Sequence, residues 1–584
     1  MMHAAEHPKT EAIVCALAVC VTLLFILFGT RDLPHRYAFV VIAWGWCALR
    51  LWHVQRTFRV WRSWHAMAEV TVQQEDYTSR EGLIIGSGFA WTVRHAAAIH
   101  DFLDREWVLP LATTETRGQG EVKGTPAFQA VGLSTAQWIT IPWSDLSGHV
   151  CIEGATQSGK TYLLASLAEQ LIVHLSRMDP GAVVILDPKG DAYMVQVVRS
   201  AAASVGRPFA LIRPYDHLHS ASYDPLSSCV EPFEVRARVE ALFPETHEEF
   251  FTFGPQAALQ RTAAMFQKLG RPYDLQELHR YTMDYDERRH LLCLYLEGLG
   301  LEWSGLQRDR LPTMEVMKKK YAQSEIRDEV ASFTLRELSQ HPEQYHKMMS
   351  NFDIALSGIV DTSFTYRFTD ADALTWHEID ARNMVVVIQT DSLITQAVGK
   401  SIGKLVLQDF MGYLGHRFFA ANPDDKPITL IVDEISEIVY EGFTDAINKA
   451  GGARGHFILG WQSDADLDAE LGVHTATRLR ANIKTRLTMQ ISDDETAWRL
   501  SRFSGQQDIA TVRSSSMSRR YGGRGSTATA HVVAGDKPVR LLEPEWLTQL
   551  PRGEGFARIA GQRYKFLVPI IERSTDAKGL DRAV

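Results

Sequence analysis

Short apolar runs alternate with longer amphipathic segments through the middle of the chain. Ala182–Leu186 (AVVIL), Met384–Gln389 (MVVVIQ) and Ile428–Val432 (ITLIV) are such runs, and segments with helical spacing lie between them. A continuous apolar run of roughly four to eight residues is typical of a strand that is buried on both faces. Strands that alternate with helices indicate a parallel sheet covered by helices, so the pattern predicts an α/β fold.

The strand pattern is interrupted between residues 231 and 350. Charged segments with helical periodicity fill this part, such as Glu234–Phe243 (EVRARVEALF) and Met314–Leu338. We therefore predict an all-α domain over residues 231–350 that is inserted into the α/β domain. Residues 146–230 then form the first part of the α/β domain, and residues 351–584 form its second part and a C-terminal tail.

Two apolar segments precede this region. Ala12–Gly29 is long enough to cross about 27 Å of hydrocarbon as a helix, and Tyr37–Val54 is a second candidate that Arg50 interrupts. A signal peptide is the alternative for the first segment, but neither a basic stretch before it nor a small-residue cleavage site after it is present. A buried helix is the alternative for the second segment.

Basic residues follow the second apolar segment. Arg56, Arg59 and Arg62 come within one short stretch, and the positive-inside rule places such a stretch in the cytoplasm. We expect residues 1–64 to form a transmembrane hairpin with a short periplasmic loop, in a multi-pass inner-membrane protein whose bulk is cytoplasmic. Residues 65–145, with turn residues such as Gly86-Ser87-Gly88, are interpreted as a membrane-proximal linker region.

Composition restricts the function of this chain. Its 61 basic and 70 acidic side chains give a net charge of −9, which argues against a protein that coats nucleic acid through bulk positive charge. A nucleic-acid motor with a basic surface confined to a pore remains compatible with that charge. The six cysteines have no metal-ligand spacing, which favours a reducing compartment for the soluble part.

A complete phosphate-binding motif follows the first apolar run of the α/β domain. Its glycines let backbone N–H groups turn toward phosphates, and the following helix directs its positive end at them. Lys160 is expected to reach the β- and γ-phosphates of ATP, and the Thr161 hydroxyl to bind Mg²⁺. The eight predicted nucleotide-binding residues are Gly154, Ala155, Thr156, Gln157, Ser158, Gly159, Lys160 and Thr161.

Two carboxylates follow the apolar run Ile428–Val432. We predict that Asp433 holds Mg²⁺ together with Thr161, and that Glu434 orients or deprotonates the attacking water. The run Phe457–Trp461 ends similarly at Gln462, which is either a sensor of the γ-phosphate or an ordinary polar residue at a strand end. The Asp-Glu pair favours hydrolysis that is coupled to work over transfer of phosphate to a metabolite.

Two further segments allow two interpretations each. Asp187-Pro-Lys-Gly-Asp191 follows a strand at the edge where ligands bind in α/β folds, but proline and glycine also suit a simple turn. Residues 502–526 are rich in serine, glycine and arginine, which is typical of a flexible loop and also suits a loop that contacts DNA.

The ordered set of motifs resembles the type IV coupling proteins of conjugation, the TraG/TraD/TrwB family, and most of all the TraD proteins of integrative conjugative elements. The resemblance extends from the N-terminal hairpin to about residue 572. It rests on GATQSGKT, LDPKGDA, SASYDPLSS, LIVDE, NKAGGARGHFILGWQSDADL and LPRGEGFARIAGQRYKFLVP.

The resemblance implies a RecA-like P-loop motor with an inserted all-α domain, acting as a homo-hexamer on the inner membrane. Such a motor would use ATP to deliver relaxase-bound DNA, as a single-stranded intermediate or a duplex, to a type IV secretion channel. An arginine from the neighbouring subunit would complete each site. Arg454 is the candidate for this arginine finger, although it is shifted from the family position, and its rivals are Arg480, Arg478 and Arg486.

Two alternatives share much of this sequence evidence. A coupling ATPase for the export of protein effectors would carry the same motor. A membrane receptor or scaffold would use the nucleotide only to hold a ring together. ATP hydrolysis that is stimulated by DNA would distinguish a DNA-coupling motor from both alternatives.

Overall fold

The computed structural model of the protein describes residues 71–104, 115–122, 136–240, 249–302, 311–360 and 372–572, apart from short gaps within these ranges. The predicted transmembrane hairpin of residues 1–64 lies outside the described residues. Within the described part, the helices are too short or too polar to cross a membrane.

An eleven-stranded sheet organises the described residues into a mixed α/β fold. Its strands are β2 Gly82–Ala90, β5 Gln137–Pro142, β6 Val150–Glu153, β7 Ala182–Asp187, β8 Phe209–Ile212, β9 Val385–Gln389, β10 Ile428–Val432, β11 Gly455–Trp461, β12 Thr485–Thr488, β15 Glu554–Ile559 and β16 Gln562–Leu567. They lie in the order β5-β2-β16-β15-β12-β6-β11-β10-β7-β9-β8. The seven strands from β12 to β8 in this order are parallel, and the other four add to them in antiparallel fashion.

Smaller strand pairs lie outside the main sheet. β1 Thr71–Gln73 pairs in parallel with β17 Ile570–Glu572, and β3 Glu115–Arg117 pairs with β4 Gly120–Val122. β13 Gln506–Arg519 and β14 Ala528–Arg540 form a long antiparallel hairpin. The interpretation of residues 502–526 as a flexible loop is therefore wrong for residues 506–519.

Helices cover both faces of the parallel strands. Lys160–Arg177 and Ala192–Ser204 pack on one face, against residues such as Ile185 and Ile431. Ala397–Ala420, Glu441–Ala450 and Asp464–Ala481 pack on the other face, against Leu186 and Val432. The remaining helices of this part are Val93–Asp104, Trp376–Ala381, Ser392–Thr395, Asp494–Ser504 and Pro544–Thr548, with 3₁₀ turns at Trp143–Gly148, Ile435–Glu437 and Gly451–Ala453.

Burial on both faces explains why the central strands read as continuous apolar runs. Every residue of β7, β9 and β10 is buried. β-branched residues dominate these strands because they pack well on a pleated surface. The predicted strands at 182–186, 384–389 and 428–432 agree with the structure to within one residue.

Between β8 and β9, the described residues from 232 to 360 form helices joined by short connections. These helices are Pro232–Glu240, Glu249–Lys268, Leu275–Met283, Tyr285–Gly298, Met314–Gln323, Glu329–Glu337 and Pro342–Val360. Their apolar residues form one continuous core with one face of the sheet. The helical content agrees with the insertion expected over residues 231–350, while the limits of the domains stay a prediction.

β2 and β5 come from the region that the sequence suggested to be a linker. They extend the main sheet through β16, so this region is part of the α/β body where it is described. Gly88 lies inside β2 and not in a turn. A Cβ atom there would stand 2.0 Å from the Lys565 carbonyl oxygen of β16, so the close contact between the two strands requires a glycine. The glycine signal marked a close approach of two strands.

Candidate nucleotide-binding site

The strand register brings the predicted site residues to one edge of the sheet. Val432 of β10 pairs with Leu459 of β11 and with Leu186 of β7. Trp461 of β11 pairs with Glu153, the last residue of β6. The segments that follow these strands therefore begin side by side at the carboxyl edge, which is where ligands bind in parallel α/β sheets.

The loop after β6 is compact and ends in the helix Lys160–Arg177. Gly159 has φ of 104°, a conformation that favours glycine. A Cβ atom at Gly154 would lie 2.7 Å from Ser158 Oγ, so the loop also requires the small residue there. Its tight path leaves the N-terminal amides of an 18-residue helix facing the loop, an arrangement that suits an anion.

Two later segments support the loop from outside. The Ala155 amide donates to the Gln490 carbonyl at 2.7 Å, and the Gly553 amide donates to the Ser158 carbonyl at 2.8 Å. Gly553 belongs to the LPRGEGF segment that contributed to the family resemblance. Two segments that carry the resemblance therefore meet at the phosphate-binding loop.

Lys160 reaches across to the carboxylates that follow β10. Its ammonium lies 3.1 Å from Glu434 Oε2 and 3.9 Å from Asp433 Oδ1. All three side chains are buried. The lysine and the two carboxylates, which are more than 270 residues apart in sequence, thus form one buried charge cluster.

Thr161 and Asp433 fit a bound magnesium ion. The Thr161 hydroxyl donates to Asp433 Oδ2 at 2.9 Å. Asp433 Oδ1 is buried and accepts no hydrogen bond from the residues that the structure describes. A hydroxyl and a carboxylate with a spare oxygen are the hard oxygen donors that Mg²⁺ prefers. The predicted ligand pair is therefore in contact.

Glu434 accepts hydrogen bonds at both carboxylate oxygens. Ser436 Oγ donates at 2.8 Å and the Gln462 amide at 3.2 Å to Oε1. Lys160 donates at 3.1 Å and Lys189 at 2.8 Å to Oε2. Burial by itself would raise the pKa of the Glu434 carboxyl, but the two lysines outweigh it and hold that pKa below its ordinary value.

Gln462 lies in the same cluster. Its backbone amide binds Glu434, and its side-chain Oε1 accepts a hydrogen bond of 3.0 Å from the Thr156 hydroxyl of the phosphate-binding loop. This position links β10, β11 and the loop. The geometry fits a residue that responds to the γ-phosphate, and that role stays a prediction.

Arg454 is the one predicted site residue that its own chain places elsewhere. It precedes β11, at the opposite end from Gln462, which is roughly 25 Å away along the strand. Its guanidinium donates to the Asp425 carbonyl at 2.6 Å. A role as an arginine finger would therefore require it to act on a neighbouring subunit, as the sequence analysis proposed.

The rival arginines differ in accessibility. Arg480 is buried and pairs with Asp464 at 3.4 Å and with Asp468 at 2.9 Å, so its guanidinium is already engaged inside the subunit. Arg478 is exposed and pairs with Asp445. The guanidinium of Arg486 lies 4.8 Å from the centroid of the Phe503 ring.

Sequence reasoning missed two partners of Glu434. Ser436 follows it in the 3₁₀ turn Ile435–Glu437, and Lys189 lies in the turn after β7. The signal for Lys189 was present in Asp187-Pro-Lys-Gly-Asp191, since that segment follows a strand of the predicted parallel sheet. Without the strand order, its neighbour across the edge could not be named.

A phosphate-binding loop with a buried lysine, a hydroxyl–carboxylate pair and a second carboxylate defines the class of P-loop nucleotide-binding proteins. Residues 427–552 match the family model described as the TraM recognition site of TraD and TraG. Over these residues, the resemblance to type IV coupling proteins of the TraG/TraD/TrwB family is thereby confirmed. No curated protein sequence matches the chain significantly.

Solved structures of similar proteins include two of the coupling protein TrwB. The unbound monoclinic form of TrwBΔN70 is 18% identical over 75% of this chain and 89% of that chain, with a TM-score of 0.49. TrwB in complex with ADP and Mg²⁺ is 19% identical over 75% and 88%, also with a TM-score of 0.49. VirB4 of Thermoanaerobacter pseudethanolicus is 13% identical over 76% and 95%, with a TM-score of 0.42.

Proposed function

We propose that the protein is an inner-membrane ATPase that couples relaxase-bound DNA to a type IV secretion channel and drives conjugative DNA transfer. The observation that carries the proposal is the cluster of the buried Lys160, Asp433 and Glu434 with the partly buried Thr161 at one sheet edge, in a chain whose residues 427–552 match the TraM recognition site of TraD and TraG. The motor is a RecA-like domain with the helical segment between β8 and β9 inserted into it.

The phosphate-binding loop is the proposed site for ATP. The amides of the loop and of the helix Lys160–Arg177 bind phosphate oxygens, and the Lys160 ammonium moves from Glu434 to the phosphates. Thr161 and Asp433 hold Mg²⁺, which when bound neutralises phosphate charge. Positive charge from these groups favours negative charge that develops as the terminal phosphate leaves.

Glu434 is the proposed general base. In the structure its oxygens accept four hydrogen bonds, about the number that a carboxylate accommodates, so none is free for water. When Lys160 turns to the phosphates, one lone pair of Oε2 becomes available on the side of the phosphate-binding loop. Water bound there is oriented for in-line attack on the terminal phosphate.

The partners follow from the family. The matched model is described as a TraM recognition site, which supports contact with relaxosome proteins through residues 427–552. We propose a homo-hexamer that is anchored by residues 1–64, with Arg454 completing the site of a neighbouring subunit. DNA would pass through the ring, and the arginine-rich stretch 502–526 is a candidate DNA contact.

The test is ATP hydrolysis by the purified full-length protein in detergent, with and without single-stranded and double-stranded DNA. We expect hydrolysis that rises with DNA and is abolished in Lys160→Ala. Lys268→Ala, at the exposed C-terminal end of the helix Glu249–Lys268, is the control and should keep the wild-type rate. Hydrolysis that ignores DNA of every form would favour export of protein effectors, and complete absence of hydrolysis would favour a scaffold.

A further inference from the structure

The turn between β7 and the helix Ala192–Ser204 places a lysine on the proposed general base. Lys189 Nζ lies 2.8 Å from Glu434 Oε2, across the gap between two neighbouring strands. The glutamate side chain is 3% exposed and the lysine side chain 33% exposed. The glutamate end of the ion pair is therefore shielded from water, which strengthens the attraction between the two charges at the carboxylate that would act as the base.

Hydrogen bonds to the Asp187 carboxylate hold the backbone of this turn in place. The buried Asp187 carboxylate accepts from the Lys189 amide at 3.0 Å and from the Asp191 amide at 2.5 Å. Gln389, at the end of β9, donates its side-chain amide to the same carboxylate at 2.9 Å. Because three donors hold Asp187, the turn presents Lys189 from a defined position.

A glycine at position 190 also restricts the conformation of the turn. Gly190 has φ of 79°, and a Cβ atom at that position would stand 1.4 Å from Asp391 Oδ1. A residue with a side chain would be strained there and would also displace the Asp391 side chain. The turn thus has a single compact path, and that path directs the Lys189 side chain to β10.

The two lysines on Glu434 Oε2 are not equivalent. Lys160 begins the helix of the phosphate-binding loop, so phosphates compete with Glu434 for its ammonium. Lys189 starts from a different strand, on the β7 side of the glutamate. Once Lys160 has moved, Lys189 is the remaining cation on Oε2 among the described contacts of Glu434.

We propose that Lys189 is a positioning residue for ATP hydrolysis. Its ammonium holds Glu434 Oε2 at the sheet edge after Lys160 has turned to the phosphates, so that the lone pair released by Lys160 faces the reacting water. Lys189 itself contacts neither the reacting water nor the phosphates. This inference rests on the proposed function, because it assigns Lys189 a role through the proposed base of that reaction.

The experiment compares the ATPase kinetics of the full-length protein with those of Lys189→Met, Lys189→Arg and the control Lys268→Met, whose lysine is exposed at the end of the helix Glu249–Lys268. We expect Lys189→Met to lower kcat by about 10- to 100-fold with KM for ATP nearly unchanged, the effect of a misplaced base. Lys189→Arg keeps the cation and should recover most of the loss. Lys268→Met should behave as the wild type.

A second comparison shows whether Lys189 acts through Glu434. In a Glu434→Gln background, Lys189→Met should cause no further loss, because a residue that acts through the carboxylate has nothing left to position. An equal loss in both backgrounds would overturn the proposal. A wild-type kcat for Lys189→Met would overturn it too, as would a rise in KM alone.

The folding of the variants and the ATPase activity of the wild-type protein are checked separately. Thermal unfolding of Lys189→Met should match that of the wild type, and Lys189→Gln replaces it if the methionine variant fails to fold. A wild-type protein that hydrolyses ATP, together with an unaffected Lys189→Met, overturns the positioning role and leaves the proposed function standing. A wild-type protein that does not hydrolyse ATP under any condition overturns both.

Discussion

The Thr161 hydroxyl donates a hydrogen bond of 2.9 Å to Asp433 Oδ2, although 272 positions separate the two residues in sequence. The contact joins the first turn of the helix after the phosphate-binding loop to the end of β10. It brings together the two oxygen donors of the proposed Mg²⁺ site. Preorganisation of this kind lowers the cost of ordering a metal site.

We predict that Thr161→Ala weakens the binding of Mg²⁺ by the protein. Loss of the hydroxyl removes one oxygen donor and the hydrogen bond that orients Asp433. The Mg²⁺ concentration for half-maximal ATPase activity should rise at least about 10-fold. Thr161→Ser is the control, since it keeps the hydroxyl and should stay near the wild type. A Thr161→Ala variant with an unchanged Mg²⁺ titration would contradict the assignment of the ligand pair.

A second prediction concerns Gln462. Its backbone amide holds Glu434, whereas its side chain contacts Thr156 of the loop. Gln462→Ala keeps the amide, so basal hydrolysis should fall less than in Glu434→Gln, while the stimulation by DNA should be largely lost. Thr156→Val removes only the partner hydroxyl and should reproduce part of this effect. Unchanged stimulation in Gln462→Ala would make the residue an ordinary strand-end amide.

A third prediction concerns the buried ion pair between Arg238 and Asp409. The guanidinium lies 3.1 Å from Asp409 Oδ1, and the Tyr223 and Ser228 hydroxyls also donate to this carboxylate. The pair joins the first inserted helix to the helix Ala397–Ala420 of the α/β part. Breaking it leaves a buried charge without its partner.

Arg238→Met and Asp409→Leu should each lower the free energy of unfolding by about 3–5 kcal/mol. The double variant should be closer to the wild type than either single variant, because both charges are then gone. Chemical denaturation of the full-length protein in detergent measures these values. Arg478→Ala, which breaks an exposed pair with Asp445, is the control and should change stability little. Additive losses in the double variant would contradict the prediction.

His149 predicts a pH dependence of stability. Its ring is buried between β6 and neighbouring elements and binds the Ile447 carbonyl oxygen at 3.0 Å. Burial, helped by the charge of Lys484, lowers its pKa from 6.5 to about 4, although the Ile447 hydrogen bond acts in the opposite sense. The unfolded chain therefore binds a proton at a higher pH than the folded protein does.

Above pH 6.5 the His149 ring is neutral in the folded and the unfolded state, so it does not change the free energy of unfolding. As the pH falls from 6.5 toward 4, the unfolded state gains a proton at this ring and the free energy of unfolding decreases. The loss approaches about 3 kcal/mol at pH 4. His149→Gly, whose missing Cβ atom suits the φ of 61° and the ψ of 159° at this position, should flatten the pH profile of unfolding in this window. The exposed His474→Asn should leave the slope as it is.

The central strands and the phosphate-binding loop were predictable because each depends on local sequence. Burial on both faces makes β7, β9 and β10 continuous apolar runs, and the loop motif carries its own geometry. Gly86 and Gly88 were misread as turn residues because a glycine at a close strand contact has the same signal as one in a turn. Residues 506–519 were read as a loop since their partner strand β14 is a non-local feature.

The sequence by itself determined the class of site, since a P-loop lysine, a threonine and a strand-end Asp-Glu pair have few other uses. Tertiary structure alone decided which side chains meet. The order β6-β11-β10-β7 places Gln462 and Lys189 on opposite sides of Glu434, and no local pattern contains that order. The reason is physical: strand pairing joins residues far apart in the chain through backbone hydrogen bonds, which carry no information on side-chain identity.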